Sequence, residues 1–256
     1  MNMKRVSLIL TTFNSKENLE ETITSIEKQD YANIEVVIKD GESTDGTIEI
    51  IEDYARKSKY HVVWTSRKDS GIFDAMNQGY QLSSGDIIAF FNDKFVLQEA
   101  VTKLVRAMSE TDGNGNKKYD GVHSDLVYTQ DGKIIRYWKM GNGRIAEGWM
   151  PAHPTLFLWR QVFERYGLFD KTFKCSGDYE FIIRILKDGS VRLAYIPEIL
   201  IEMFYGGTSS KGVQNYLLSL AEAHKALKIN GIKGSVFIDI RRTCRVLWQF
   251  LMAMRK

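Results

Sequence analysis

The segment Ile34-Glu35-Val36-Val37-Ile38-Lys39-Asp40-Gly41-Glu42-Ser43-Thr44-Asp45-Gly46-Thr47 joins an apolar, β-branched run to an acid, a glycine and a cluster of capping residues. Ile34–Ile38 predicts a buried strand. Ser43 or Thr44 can cap a following helix that carries Ile48, Ile51 and Ala55 on one face. A carboxylate at a strand end can accept hydrogen bonds from a ligand, and the glycines permit a tight turn and close ligand approach. An ordinary strand–turn–helix junction uses the same residue types, so the segment is informative only together with its neighbours.

On either side, strand and helix patterns alternate. Val6–Leu10 predicts a first strand, and Asn14 an N-cap with Glu17 in capping-box register. Leu19, Ile23 and Ile26 follow at helical spacing. His61–Trp64 predicts a third strand, and Phe73, Met76 and Tyr80 a third helix. Asp86–Phe91 predicts a fourth strand, and Val101, Leu104, Val105 and Met108 a fourth helix. Strands separated by helices of this length imply right-handed crossovers and a parallel sheet. Ligands then bind at the carboxyl ends of the strands. Thr11-Thr12, Asp40-Gly41, Ser66 to Gly71 and Asn92-Asp93 should therefore gather along one edge. The polar loop Thr111–Lys118 marks a boundary between halves. Beyond it, Gly121–Tyr128 and Lys133–Trp138 read as a hairpin turning at Asp131-Gly132. Gln161–Tyr166 and Asp178–Lys187 read as helices, Val191–Ile196 and Ile199–Phe204 as two strands, and the chain from about Gln214 as helical.

Composition narrows the function classes. The 256 residues are 44% hydrophobic and 26% charged, ordinary for a soluble globular chain. The formal net charge of +3 and the lack of a recognition motif argue against nucleic acid as a partner. Cys175 and Cys244, the only cysteines, suit neither a disulfide scaffold nor a cysteine zinc site, and point to a reducing, cytoplasmic compartment. Val6–Leu10 is too short for a signal-peptide core, and no stretch approaches the ~20 apolar residues of a membrane span. Residues 235–256 set Arg241, Arg242, Arg245, Arg255 and Lys256 beside Val246, Leu247, Trp248, Phe250, Leu251, Met252 and Met254. That mixture fits an interfacial helix on a membrane surface, or a last helix packed on the domain.

Taken in order, the motifs resemble glycosyltransferase family 2 with the GT-A fold. Ser7–Asn14 resembles its first strand and loop, Asp40–Thr47 its "DGxSTDGT" stretch, Asp69–Asn77 its "DxGIYDAMN" element, and Gly85–Asn92 the strand before its metal-binding turn. His153, Phe163–Asp170 and Gly177–Glu180 resemble its acceptor side, and Phe204–Ser210 is a last echo. The resemblance covers residues 4–210. It implies an α/β, Rossmann-like GT-A fold: a mostly parallel central sheet flanked by helices, with a C-terminal helical tail. It divides the chain into a catalytic domain, 1–212, and a helical extension, 213–256. Within the domain, 1–110 would hold the nucleotide-sugar and 119–212 the acceptor.

The resemblance also implies roles. Thr11, Thr12 and Phe13 would lie near the donor's base, and Asp40 would contact base or ribose. Asp69, Asp74 and Asn77 would line the base, ribose or diphosphate. Asp178 would be the base of an inverting transfer, which must take a proton from the attacking hydroxyl. Asp125 and His153 would lie on the acceptor or diphosphate side, and Arg184 would offer a phosphate contact. The turn Asn92-Asp93-Lys94-Phe95 departs from the family pattern, with Lys94 and Phe95 where two carboxylates are usual. Either Asp93 moves into the ligand position for Mn²⁺ or Mg²⁺, or Lys94 faces the diphosphate and lessens the need for metal. The expected activity is hexosyl transfer from a UDP-sugar to a glycan, carried on a polyprenyl diphosphate as in bacterial O-antigen or capsule assembly, on the inner membrane face. Two rivals are a sugar nucleotidyltransferase, whose Gly-rich first loop this chain lacks, and a non-catalytic nucleotide-binding or scaffold homologue.

Overall fold

The computed structural model describes residues 3–130, 132–204 and 213–253. Its strands are β1 (Val6–Thr12), β2 (Ile34–Asp40), β3 (His61–Ser66), β4 (Ile87–Phe90), β5 (Lys94–Phe95), β6 (Gly121–Gln130), β7 (Lys133–Trp138), β8 (Phe157–Trp159) and β9 (Leu193–Phe204). Its α-helices are α1 (Lys16–Glu27), α2 (Thr47–Lys57), α3 (Ile72–Leu82), α4 (Ala100–Met108), α5 (Arg160–Tyr166), α6 (Gly177–Leu186), α7 (Val213–Ile229) and α8 (Ser235–Ala253). All the strands join one sheet in the order β3-β2-β1-β4-β8-β6-β9-β5, with β7 paired to β6.

The first four strands run parallel, as the strand–helix alternation requires. Every residue of β1, β2 and β4 is buried, because helices cover both faces. Alternate side chains feed two cores. Leu8, Leu10, Val36, Ile38 and Ala89 meet Leu19 and Ile26 of α1, Ile51 of α2 and Leu104 of α4. Ile9, Val37, Ile88 and Phe90 meet Phe73 of α3, Val162 of α5 and Phe181 of α6. The second half makes the sheet mixed: β8 is antiparallel to β4 and β6, β9 is parallel to β6, and β5 is antiparallel to β9.

Three local expectations change. Ser15, not Asn14, precedes α1; Asn14 takes φ 48° and spends its side chain on the Thr44 N–H. Neither Ser43 nor Thr44 caps α2, whose N-cap is Gly46 at φ 100°; Ser43 turns back to Asp40 instead. The two strands expected at 191–204 are one strand, β9. Its pairing with β6 jumps from Ser124↔Ile196 to Asp125↔Ile199, so Pro197 and Glu198 bulge out, as a proline without an N–H requires. The hairpin β6–β7 forms as expected, with Gly132 at φ 72°. Asp131, and residues 205–210 of the last motif echo, lie outside the described residues.

The C-terminal helices pack on the domain. α7 lies against α6, and α8 against α7, β7 and the 3₁₀ turn Ile145–Glu147. The crossing is close at Gly148, where a Cβ would stand 2.8 Å from the backbone N of Arg242 and where φ is 68°. No helix among the described residues is long and apolar enough to cross a membrane.

Candidate active site

The carboxyl ends of β1, β2 and β3 meet around Asp40. Its carboxylate is fully buried and accepts from Thr12 Oγ1 (2.9 Å), Ser43 Oγ (2.5 Å), the Ser43 N–H (2.9 Å) and Ser66 Oγ (2.7 Å). Burial alone would raise this carboxyl, but the bonds from Ser43, Ser66 and Thr12 outweigh it and hold the group below its ordinary value. Two oxygens offer about four acceptor positions, so the protein itself fills them. Asp40, expected to contact base or ribose, ties the ends of β1 and β3 to the loop after β2.

Asp69 is the carboxylate that reaches the surface here. One of its oxygens accepts from Lys39 Nζ at 2.8 Å and the other from the Gly71 N–H at 3.1 Å. Lys39 is wholly buried and also donates to the carbonyls of Asp40 and Arg67, at 2.7 and 2.6 Å. A Cβ on Gly41 would come within 3.1 Å of Asp69 Oδ2 and 3.2 Å of the Phe13 ring, so a side chain there would crowd both. Phe13 is 68% exposed, an uncommon state for a phenylalanine beside a cleft. Lys39 escaped the sequence reading because a lysine inside a strand reads as solvent-facing polarity. Its signal was position: it lies beside Asp40 at the end of a strand in which every residue is buried.

Other expected donor residues serve the fold. Asn77 donates to the Phe169 carbonyl at 2.9 Å and accepts from the Phe169 N–H at 3.0 Å, so its amide clamps one backbone residue and is not a ligand contact. The N–H of Ser70 holds the Asp74 carboxyl below its ordinary value, aided by Lys171 at 3.3 Å. Asn92 remains exposed, but its side chain bonds both the N–H (2.9 Å) and Oγ1 (3.0 Å) of Thr11. It ties the end of β4 to the end of β1. Lys94, which the sequence allowed to face the diphosphate, pairs with Glu202 (2.8 Å) and Glu21 (3.1 Å). Burial would lower its ammonium, yet those two acids keep it above its ordinary value.

Asp93 points the other way. It is 6% exposed, and burial pushes its carboxyl up to about 7 against one opposing bond from the Phe204 N–H. Its field raises the phenol of Tyr128, and so does that of Asp178, so the two carboxylates share a neighbour. Asp178 sits in the first turn of α6 and also acts on His153, whose imidazole burial holds below its ordinary value. The His153 ring stacks on Phe90, the last residue of β4, at 5.8 Å. Tyr128, which burial and both acids push up to about 12, was missed as a site residue because nothing in a strand pattern marks which aromatic faces a cleft. Its ring lies under the Arg136 guanidinium at 4.6 Å and parallel to Trp138.

Two residues expected on the acceptor side have partners within the fold. Arg184 forms a two-bond pair with Glu180 and donates to the Tyr166 and Leu168 carbonyls, which uses its fork on the end of α5. Asp125 accepts from the Met140 N–H and Tyr195 hydroxyl, both at 2.8 Å, and anchors the loop after β7. No group of three or more His, Cys, Asp or Glu side chains among the described residues could hold a metal. What fits a cation is narrower: Asp93, a desolvated carboxylate whose charge burial disfavours.

The family model for "Glycosyl transferase family 2" matches residues 7–167, which span the strand-end edge and β8. The chain belongs to glycosyltransferase family 2. A relative from Mycobacterium bovis, "PGL/p-HBAD biosynthesis glycosyltransferase", is 26% identical over 94% of this chain and 91% of its own length. Among solved structures, Staphylococcus aureus TarS in complex with UDP-GlcNAc is similar, with a TM-score of 0.72 and 17% identity over 94% of this chain and 72% of that one. The mannosyltransferase PcManGT from Pyrobaculum calidifontis, with GDP-Man and Mn²⁺, has a TM-score of 0.66 and 17% identity, covering 96% and 74%. The fold of this glycosyltransferase is thus the GT-A fold. The family match stops at residue 167, so α6 and both C-terminal helices lie beyond it.

Proposed function

We propose that this glycosyltransferase inverts configuration while moving a hexosyl group from a nucleotide-sugar, with UDP the favoured nucleotide, to a glycan carried on a polyprenyl diphosphate during bacterial surface-polysaccharide assembly. The observation that carries the reading is that the charges of Asp178 and Asp93 both act on Tyr128, and that Asp178 also acts on His153, whose ring stacks on Phe90 at the end of β4. In this reading the base rests against exposed Phe13, near Asp69. Asp178 takes the proton from the acceptor hydroxyl as its oxygen attacks the anomeric carbon. The bond from that carbon to the nucleoside diphosphate breaks on the opposite side. Asp93 with the donor's own diphosphate would hold Mn²⁺ or Mg²⁺, which when bound neutralises the charge on the leaving group. The donors in the TarS and PcManGT complexes, and the Mn²⁺ of the latter, support this assignment.

α8 supports the lipid-linked acceptor. Val236, Phe237, Ile240, Cys244, Leu247 and Trp248 recur at helical spacing and are all exposed, while exposed Arg241 and Arg245 flank them. An apolar stripe rimmed by arginines matches an anionic membrane surface on the cytoplasmic side.

The test is release of UDP from a panel of UDP-sugars in the presence of a polyprenyl-diphosphate-linked monosaccharide. Asp178→Asn should fold and bind nucleotide yet lose about 10²–10⁴-fold in turnover. Wild-type turnover in that variant would refute Asp178 as the base.

A further inference from the structure

α6 begins at Gly177, and its N-cap, Ser176, makes no side-chain capping bond. Three consecutive backbone N–H groups, those of Lys174, Cys175 and Ser176, point at one acceptor: the carboxylate of Glu222, at 2.8, 2.8 and 2.9 Å. Glu222 lies on α7, 8% exposed. One turn earlier on the same helix, Ser219 meets Ser176 Oγ through its carbonyl (3.0 Å) and its hydroxyl (3.1 Å). Three residues after Glu222, Lys225 Nζ lies 4.5 Å over the Phe173 ring. Residues 219, 222 and 225 share one face of α7, and that face grips residues 173–176.

The grip ends two residues before Asp178. Bonds to a carboxylate are shorter and stronger than bonds to a neutral acceptor, and three of them converge here. A negative charge just before a helix also complements the N-terminal end of its dipole. No side chain within residues 170–176 supplies such an acceptor for these three N–H groups, so α7 supplies it. Among the described residues, the side chain of Asp178 accepts one hydrogen bond, from the neighbouring Tyr179 N–H at 2.8 Å. Its position therefore follows the backbone that Glu222 holds.

We infer that Glu222 is a positioning residue for Asp178, and that α7 thereby completes the catalytic apparatus from outside the segment that the family model matches. This rests on the reading of Asp178 as the base. Glu222 touches neither substrate nor reacting atoms; it sets the angle at which α6 presents the carboxylate. Misplacement by about 1 Å is enough to cost two orders of magnitude in rate.

Glu222→Gln tests it, because the amide keeps the size and one acceptor oxygen. UDP release is measured with the UDP-sugar that the wild type turns over fastest, well below the variant's melting temperature. The expected result is a fall in kcat of about ten- to a hundredfold, with the Kd for UDP unchanged by calorimetry. In an Asp178→Asn background, the same change should lower the residual rate less than about twofold, since the residue it serves is already gone. Wild-type kcat in Glu222→Gln overturns the inference, as does a loss that is equally large in the Asp178→Asn background or that follows the Kd for UDP. Normal turnover by Asp178→Asn alone overturns the base assignment, and this inference with it. Should Glu222→Gln fail to fold, Ser219→Ala removes only the hydroxyl contact to Ser176. A smaller kcat loss at unchanged Kd supports the inference, and unaltered kcat overturns it.

Discussion

Asp93 and Asp40 are both buried acids at strand ends, yet their surroundings push them in opposite directions. Asp40 has four donors and stays ionised; Asp93 has burial and one backbone N–H, and its carboxyl rises to about 7 from an ordinary 3.8. The folded chain therefore binds a proton at Asp93 that the unfolded chain has released between about pH 4 and pH 7. Stability from this group is present at the acid end of that window and is lost as pH rises through about 7. His123 works the other way: burial holds its imidazole at about 4, so its contribution is lost as pH falls below about 6.5. Comparison with Asp93→Asn cancels the histidine. The wild type's melting temperature, relative to that variant, should fall from pH 5 to about pH 7.5, and Mn²⁺ with UDP should restore it at the upper end. A flat difference across that range would show that Asp93 is ionised throughout and that its burial is not felt.

Among the elements, α8 is the unusual one because its apolar stripe faces out. Asp239, Arg242 and Gln249 turn inward: Asp239 pairs with His224 at 2.7 Å, Arg242 covers the Tyr179 ring, and Gln249 accepts from Arg136. Phe237 is 71% and Trp248 58% exposed. Phe237→Glu with Trp248→Glu should remove two insertion points, each worth about 1.5–3 kcal/mol when fully buried. Flotation with anionic phospholipid vesicles should show the binding lost, while the fold, held by the inward face, is unaltered. Retention of the double variant on vesicles would leave the stripe without that role. The basic and aromatic mixture was legible in the sequence, but the helix's rotation was not: one side of α8 packs on the domain, and the apolar stripe lies on the other. The same limit applies to β9, where Pro197 hid the continuity of one strand behind what looks like a break.

Across the whole molecule, the first half was legible because β1, β2 and β4 are buried on both faces and its helices are amphipathic. The parallel order, the gathering of strand ends and the four helices follow from period and alternation. The second half was less so, since its strands are joined by pairings distant in sequence, such as β6 with β9. Site residues divide the same way. Asp40, Asn77, Asn92 and Arg184 sit in recognisable motifs, but a motif does not say whether a polar atom faces a ligand or a neighbouring carbonyl. Asn77 spans the two halves by holding Phe169 from α3. Asn77→Ala should cost about 1–3 kcal/mol of stability by orphaning a buried N–H and C=O, with the Kd for UDP unchanged. A weakened Kd at unchanged melting temperature would return Asn77 to the donor site. The knot at Asp40 has a kinetic meaning as well. Its four bonds tie the ends of β1 and β3 to the loop after β2. A nucleotide arriving at that edge would meet backbone that the fold itself fixes, so its capture would lose little affinity to conformational entropy.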